Sequence, residues 1–260
     1  MHPKLKPILE KTYGICIYQE ELLQIARDLA GFTYGQADIL RKEVGKKIKS
    51  LLNEQKDKLI QGMKDNNVSD KVAKEIWEWI LPFAQYGFNR SHSCSYAMIA
   101  YQTAYLKTHY PIEFMASLLT SERHDVEKIA LLIEECKRMK IDVLPPDINE
   151  SLTNFTVVPN QNQIRFGLSA IKNVGSNIVK AITEERKANG PFKNLADFLS
   201  RVSSKDLNKK SLESLIKCGA LDRFGERSVL LYNIERILAF HKNIAQQKQS
   251  RQASLFGEKE

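Results

Sequence analysis

Apolar residues recur at helical spacing along most of this 260-residue chain. One run places them at i, i+3, i+4 and i+7, which predicts a single apolar helix face formed by Leu22, Ile25, Ala26 and Leu29. The same period predicts a helix after an N-cap at Ser69, a helix over 95–108 that Pro111 ends, and a helix over 126–133. The chain is therefore expected to be mainly α-helical.

The helical pattern is interrupted at Pro145 and Pro146, and two β-prone runs follow. Residues 155–158 and 164–166 flank a polar stretch, an arrangement that predicts a short β-hairpin. Helical periodicity then resumes in the rest of the chain. The change of pattern predicts a domain boundary near residues 145–150.

Composition excludes several classes of protein. With 43% hydrophobic and 27% charged residues, the chain is typical of a globular protein. It has no apolar run near the roughly 18 residues of a transmembrane helix, and its first residues lack the apolar stretch of a signal peptide. The 39 basic and 31 acidic residues give a net charge of +8, which favours an acidic partner but is equally compatible with a merely basic surface.

Cysteine and histidine spacing argues against a structural metal. The chain has no C-x-x-C, and its histidines do not stand at zinc-ligand spacing beside the four cysteines, Cys16, Cys94, Cys136 and Cys218. Free thiols in a reducing compartment are the better interpretation. We therefore expect a cytoplasmic protein without a metal site.

Basic residues are dense between positions 41 and 49. This stretch holds five basic residues and one acidic residue, with Gly45 between two basic clusters. A turn at Gly45 would bring both clusters toward one anion, such as a phosphate. Most charge runs are instead solvated helix faces, and that interpretation stays open. The P-loop pattern G-x-x-x-x-G-K-[ST] is absent from the sequence.

A second polar run, residues 88–95, precedes a predicted helix. Free N–H groups and the helix dipole favour an anion at a helix N-terminus. Arg90 and His92 would add a charge and a hydrogen-bond donor at that place. The alternative is that Ser91 or Ser93 simply caps the helix and His92 bonds a backbone carbonyl.

These runs belong to a series of stretches that resembles, in the same order, the fingers domain of bacterial DNA polymerase III alpha subunits, the C-family replicative polymerases. The matching stretches are residues 12–15, 18–20, 35–42, 45–47, 86–93, 96–97, 101–102, 106–107, 109–111 and 144–149. In that family the fingers close over the incoming nucleotide, and basic residues contact its triphosphate. The resemblance therefore implies nucleotide binding by Arg41, Lys46, Lys47, Arg90 and His92. Tyr96, one turn into the helix, is a candidate to pack near the nascent base pair or, equally, a core aromatic.

Residues 167–182 resemble a helix–hairpin–helix. In this motif a tight turn points its backbone N–H groups outward at the start of a helix, where they hold a DNA phosphate without reading sequence. The asparagine at 173 stands where many members have glycine, and asparagine tolerates a positive φ. The resemblance implies DNA binding by Lys172, Asn173, Val174, Gly175, Ser176 and Asn177. A looser second copy follows over 212–227, although short helices joined by glycine turns are common in α domains.

The end of the chain places Gln252, Leu255 and Phe256 in the order Q-x-x-L-F. This order resembles the peptide by which bacterial polymerases bind the sliding clamp, with the leucine and phenylalanine in an apolar pocket and the glutamine hydrogen-bonded. An exposed Leu-Phe pair also occurs by chance. Residues 242–260, rich in Gln, Lys and Ser, are expected to form a mobile tail.

The resemblance implies three regions: fingers over 1–149, a tandem helix–hairpin–helix domain with a leading β-hairpin over 150–241, and the flexible clamp-binding tail over 242–260. The family's catalytic aspartates, which hold two Mg²⁺ ions, lie in its palm, and this chain has no D-x-D. We therefore expect a part of the polymerase that contains no catalytic residue, holds no cofactor and is inactive alone. Mg²⁺ is expected in the full polymerase.

The expected partners are dNTP, duplex DNA bound without sequence preference, the sliding clamp and the remainder of the polymerase III holoenzyme, with no membrane. An alternative from another class is a non-catalytic adaptor that links duplex DNA to the clamp and has no nucleotide role. An in-frame palm with paired aspartates upstream of the coding sequence would distinguish the two.

Overall fold

The computed structural model describes residues 2–46, 49–83, 87–202 and 207–249. Over these ranges the chain forms thirteen α-helices and one three-stranded sheet, so the expected mainly α fold is confirmed. None of the described helices is long and apolar enough to span a membrane. Contacts divide the chain into two compact units, Met1–Thr103 and Ala104–Glu260.

The first unit is helical. Its helices are α1 (Lys6–Leu9), α2 (Gln19–Ala30), α3 (Tyr34–Lys46), α4 (Lys49–Asp65), α5 (Asp70–Phe83) and the first part of α6 (Arg90–His109). The start of α2 is fixed by the Glu21 carboxylate, which accepts the backbone N–H groups of Ile17 at 2.8 Å and Tyr18 at 3.0 Å. The helix ends at Gly31, whose φ of +70° is a conformation that glycine adopts readily.

The core of the first unit forms where α2, α3, α4 and α5 meet. The apolar face predicted for α2 is confirmed, because all four of its residues are buried: Leu22, Ile25, Ala26 and Leu29. They share one cluster with residues from the three other helices, including Leu40, Leu59, Met63, Ile76 and Trp77. A Cβ atom added at Gly62 would lie 2.3 Å from the carbonyl oxygen of Ala30. The backbone of α4 therefore contacts the end of α2 directly.

Helix α6 differs from the others, because none of its twenty residues is buried in the part of the chain that the structure describes. Its exposed apolar side chains include Tyr96, Met98, Ile99 and Tyr101. The helix begins at Arg90, ahead of the predicted start at 95, because Asn89 caps it by accepting the His92 backbone N–H at 3.0 Å. The cap is therefore Asn89 rather than Ser91 or Ser93.

The second unit combines the sheet with the remaining helices. Its elements after α6 are α7 (Pro111–Ser121), α8 (Val126–Arg138), β1 (Asp142–Leu144), β2 (Thr156–Val157), β3 (Gln163–Arg165), α9 (Ser176–Asn189), α10 (Leu195–Arg201), α11 (Lys209–Lys217), α12 (Arg227–Tyr232) and α13 (Ile234–Gln249). The central strand β3 pairs antiparallel with β2 and parallel with β1. The predicted β-hairpin is thus confirmed as β2 and β3, whereas β1 is a strand that the sequence pattern did not predict.

Two clusters of buried side chains stabilise the second unit. The first lies between α7, α8 and the sheet and includes Met115, Leu119, Ile129, Cys136, Ile141, Phe155 and Ile164. The second gathers the helices from α9 onward and includes Ile178, Ile182, Phe198, Leu212, Leu215 and Ile216. Phe166, directly after β3, packs against both clusters. It joins the sheet to the helices that follow.

The boundary between the two compact units differs from the predicted domain boundary. The division after Thr103 falls before the predicted boundary at 149, because the first cluster packs α7 and α8 against strands from beyond that boundary. Helix α13 continues to Gln249, into the stretch expected to be a mobile tail. Its first half is anchored by buried side chains, among them His241, whose Nδ1 lies 2.9 Å from the carbonyl oxygen of Leu199.

Candidate functional site

Hydrogen bonds hold residues 87–90 alongside the start of α2. The Gln19 backbone N–H donates to the Phe88 carbonyl at 2.9 Å, and the Phe88 N–H donates to the Ile17 carbonyl at 3.3 Å. Gln19 Nε2 donates to the Gly87 carbonyl at 2.7 Å. The N-terminus of α6 is thereby fixed next to the acidic first turn of α2.

Arg90 is held by carboxylates of that first turn. Its backbone N–H donates to both Glu20 carboxylate oxygens, at 3.0 and 3.1 Å. Its guanidinium carbon lies 4.8 Å from the centre of the Tyr18 ring, and Nη2 lies 3.5 Å from Glu21 Oε1. Because the Glu21 carboxylate is fully buried, Arg90 supplies the positive charge that such a group requires. Burial, together with the Glu21 charge, raises the pKa of the nearby Cys16 thiol to about 12.

Arg41 reaches the same turn from α3. Its Nη1 donates to Gln19 Oε1 at 2.9 Å, and its Nη2 donates to Asp38 Oδ1 at 2.7 Å. Lys42 Nζ lies 2.7 Å from the other Asp38 oxygen. The hydrogen bonds from Lys42 and from Arg41 lower the pKa of the Asp38 carboxyl. Two of the predicted nucleotide-binding residues, Arg41 and Arg90, are therefore attached to one turn, and we call them and that turn the arginine cluster.

Aromatic rings continue from the arginine cluster along α6. The ring centres of Phe88 and His92 are 5.6 Å apart, and those of His92 and Tyr96 are 4.5 Å apart. Tyr96 is 63% exposed, so it is not a core aromatic in this structure. Exposed rings beside arginine side chains are suited to stacking on nucleic-acid bases.

The basic run after Arg41 is only partly described. The turn predicted at Gly45 is wrong, because α3 continues through Gly45 to Lys46. Glycine permits a turn but does not impose one. Lys46 therefore ends the helix, and Lys47 lies outside the described residues.

The predicted helix–hairpin–helix turn forms directly before α9, and we call residues 172–177 the first hairpin. Asn173 has a φ of +65°, which confirms that asparagine takes the conformation for which glycine is common. Its Nδ2 donates to Ser214 Oγ at 3.2 Å. Val174 is buried and its N–H donates to the Ile171 carbonyl at 3.1 Å, so its role is to hold the turn to the core.

The rest of the first hairpin faces solvent. Five of the six residues predicted to bind DNA are exposed: Lys172, Asn173, Gly175, Ser176 and Asn177. Gly175 is the N-cap of α9, and the first N–H groups of an α-helix have no partner within the helix. The turn therefore presents backbone donors, a helix N-terminus and a lysine on one exposed surface, a combination suited to a phosphate.

The looser second copy, between α11 and α12, is arranged differently. Arg227 donates from Nε and Nη2 to the two Asp222 carboxylate oxygens, at 2.7 and 2.6 Å, and this pairing lowers the pKa of Asp222. A Cβ at Gly219, whose φ is +88°, would lie 2.3 Å from Arg227 Nη2. The guanidinium thus fills the space beside the turn. The second copy pairs its arginine internally, whereas the first leaves its lysine exposed.

Comparison with known proteins identifies the relatives of this chain. The family model for the bacterial DNA polymerase III alpha subunit finger domain matches residues 1–67, and the model for the helix-hairpin-helix motif matches residues 140–230. The chain is 46% identical over 256 residues to DNA polymerase III subunit alpha of Thermus aquaticus, 45% over 259 residues to that of Deinococcus radiodurans and 43% over 269 residues to that of Pseudomonas aeruginosa. The resemblance to the bacterial DNA polymerase III alpha subunit is confirmed.

The similarity to DNA polymerase III alpha subunits extends over nearly the whole chain but over a small part of the relatives. These three alignments cover 98%, 98% and 97% of this chain, and 21%, 19% and 23% of the respective relatives. The chain thus spans about a fifth of the length of the curated relatives it matches.

The two family models divide the candidate residues unequally. The finger-domain model includes Arg41, Lys46 and Lys47, and the helix-hairpin-helix model includes the whole first hairpin. Arg90 and the aromatic residues Phe88, His92 and Tyr96 lie between the two matched ranges. The peptide Gln252, Leu255 and Phe256 lies beyond both ranges and outside the described residues.

Sequence reasoning missed the acidic side of the arginine cluster. It selected the basic residues for their charge but not Glu20 and Glu21, whose carboxylates hold Arg90. A signal was available, because Glu21 follows the N-cap Tyr18 at the capping-box position. Among the described residues, no group of three or more His, Cys, Asp or Glu side chains could hold a metal ion.

Proposed function

We propose that this chain is a segment of a bacterial DNA polymerase III alpha subunit that takes part in template-directed DNA synthesis from dNTPs. The observation that carries the proposal is the 46% identity over 256 residues to the Thermus aquaticus subunit. A match of that length includes both the arginine cluster and the first hairpin. The proposed partners are the incoming nucleotide, duplex DNA, the sliding clamp and the rest of the polymerase holoenzyme.

The arginine cluster is the proposed contact for the nucleotide triphosphate. Arginine forks bind phosphate oxygens in pairs, and Arg90 keeps 40% of its side chain exposed while Arg41 keeps 33%. A triphosphate would compete with the Asp38 carboxylate for Arg41, so that one anion replaces another at the guanidinium. The rings of His92 and Tyr96 extend from the cluster and are suited to the base. Lys46 and Lys47 are proposed as further phosphate contacts.

The first hairpin is the proposed contact for the duplex backbone. Its N–H groups and Lys172 bind phosphates of any sequence, because phosphate contacts fix position without carrying sequence information. Such binding suits a polymerase, which must hold each duplex that it makes.

The nucleotide assignment is tested in a complete alpha subunit that carries this segment. Replacing Arg90 or His92 with alanine should raise the KM for dNTP by about tenfold or more, since a charge-assisted hydrogen bond is lost. The duplex affinity should not change. Arg90→Lys keeps a charge beside the buried Glu21 and should give an intermediate KM, which separates nucleotide binding from folding.

Arg138→Ala is the matched control, because this side chain is 79% exposed on α8, and it should leave both quantities unchanged. Equal loss of dNTP and duplex affinity in the Arg90 and His92 variants would contradict the assigned roles. An unchanged KM together with intact duplex and clamp binding would favour the adaptor instead.

Two further parts of the proposal have simple assays. This segment is proposed to supply no catalytic carboxylate, so the pure 260-residue chain should not extend a primer in Mg²⁺, and robust extension would refute this.

Clamp binding is proposed for Gln252, Leu255 and Phe256. Replacing Leu255 and Phe256 with alanine should abolish clamp affinity, and the claim fails if the affinity is retained.

A further inference from the structure

A hollow of about 940 Å³ lies beside the first hairpin in the second unit. One side is formed by residues 169–176, and the other by Thr153, Asn154 and the connection between α7 and α8. That connection contributes Arg123 and His124. None of the described residues that line the hollow is acidic, so an anion that enters it meets no negative charge on its walls.

Among the described residues, no carboxylate forms an ion pair with the basic side chains that line the hollow. Arg123 is half-buried, and its Nη1 donates to the Thr120 carbonyl at 3.0 Å. Lys128, nearby on α8, is instead paired with Glu122 at 2.9 Å and Asp125 at 3.9 Å. Arg123 is thus fixed by a backbone carbonyl, which orients its guanidinium without neutralising it.

The floor of the hollow is held by close backbone contacts. The N–H groups of Leu168 and Ser169 donate to the carbonyls of Leu152 and Thr153 at 2.9 and 3.0 Å. A Cβ at Gly167 would lie 2.4 Å from the backbone of Asn154, so the two segments are in contact. The Ser169 hydroxyl lines this floor, is buried and has no hydrogen-bond partner among the described atoms. Its hydrogen-bonding capacity is therefore unused by the described residues.

We propose that Arg123 and His124 bind a second backbone phosphate of the duplex that the first hairpin holds, with the Ser169 hydroxyl as a further donor. The proposal rests on the proposed function of the first hairpin. The hollow combines the features of a phosphodiester site: an oriented guanidinium, an imidazole, a free hydroxyl and walls without acidic groups. The duplex contact then includes the α7–α8 connection, outside the helix–hairpin–helix.

The test uses the 260-residue chain and a labelled duplex DNA, with affinity measured by fluorescence anisotropy over a series of salt concentrations. Arg123→Gln, His124→Gln and Lys172→Gln are compared with Arg138→Gln, which removes an exposed charge at the far end of α8. Arg123→Gln should weaken binding about fivefold at low salt and reduce the slope of log K against log salt by about 0.9, the value for one lost phosphate contact.

Arg123→Lys keeps the charge and should restore most of the affinity and the salt slope, which a purely structural role of Arg123 would not do. Lys172→Gln should also reduce the slope, and Arg138→Gln should not. If Lys172→Gln weakens binding while Arg123→Gln and His124→Gln match the Arg138 control, the inference is overturned and the first hairpin keeps its function. If all four variants bind like the unmodified chain, both proposals fail.

Discussion

At the scale of the residue, the arginines proposed to meet a triphosphate already contact carboxylates. Arg41 is bound to Asp38, and Arg90 lies beside Glu20 and Glu21. The Asp38–Arg41 pair is partly exposed, and exposed ion pairs are weak and screened by salt. A triphosphate bound as proposed would therefore displace Asp38 at small cost. The buried Glu21 remains and keeps Arg90 in place when no ligand is bound.

The charge of the buried Glu21 carboxylate also affects the neighbouring Cys16 thiol. The pKa of Cys16 is raised to about 12, first by burial and then by the charge of Glu21. The reactive thiolate is therefore nearly absent at pH 8. We expect iodoacetamide at pH 8 to modify the exposed Cys94 fully while Cys16 stays unmodified, as measured by peptide mass spectrometry.

Denaturation in urea is the control for this labelling experiment, since both thiols should then react. Modification of Cys16 as fast as Cys94 in the folded chain would show that the start of α2 opens to water. It would also contradict the buried position of Glu21.

Several single-residue features were predictable because their causes are local. The positive φ of Asn173 follows from its place in a turn and from the tolerance of asparagine for that conformation. The carboxylates around Arg90 could not be predicted in the same way. Glu20 and Arg90 are far apart in the chain, and their contact depends on the path of the backbone between them.

At the scale of the element, the contact between α2 and α4 depends on a glycine. A Cβ at Gly62 would lie 2.3 Å from the Ala30 carbonyl oxygen, and backbone atoms cannot move aside as a side chain does. Gly62→Ala should therefore lower the free energy of unfolding of the first unit by about 1–3 kcal/mol, as overpacking does. Urea denaturation followed by tryptophan fluorescence measures the change.

Gly35→Ala is the matched control for Gly62→Ala. Gly35 also lies in a helix, and a Cβ there would meet no atom within 4 Å. This substitution should be neutral or should stabilise the chain by about 0.5–1 kcal/mol, because alanine loses less backbone entropy than glycine in a helix. Equal destabilisation by both substitutions would contradict the close contact.

Elements with their own periodic pattern were predictable, and elements that depend on distant partners were not. The face of α2 and the β2–β3 hairpin follow from local spacing and turn chemistry. Strand β1 has three residues and pairs with β3, whose residues lie beyond the hairpin turn. Nothing within such a short stretch marks it as a strand. The last turns of α13 likewise continue a helix whose first half is packed, with His241 buried near its middle.

At the scale of the whole molecule, the distribution of the hydrophobic cores leads us to expect that the chain does not unfold in a single two-state transition. Every described cluster of buried side chains lies within one unit. Both tryptophans, Trp77 and Trp79, belong to the first unit, whereas circular dichroism reports the helices of both. We expect the urea transitions measured by the two methods not to coincide, as for a chain that is not two-state. Coincident midpoints would instead show that the units unfold as one.

The mainly α class was predictable for the whole molecule, since the helical period recurs along the chain. The division into units was not. The two prolines at 145 and 146 and the change of pattern after them indicated a boundary there, but the core between α7, α8 and the sheet spans it. Proline interrupts a local pattern and carries no information on which elements share a core.

The exposure of α6 has a consequence for the thermodynamics of the chain. None of its twenty residues is buried, so melting this helix transfers less side-chain surface into water than melting a core helix of the same length. The heat capacity of unfolding and the denaturant m value both follow the surface newly exposed. Both quantities will register the loss of α6 only weakly, and both will be smaller than the length of the chain alone implies.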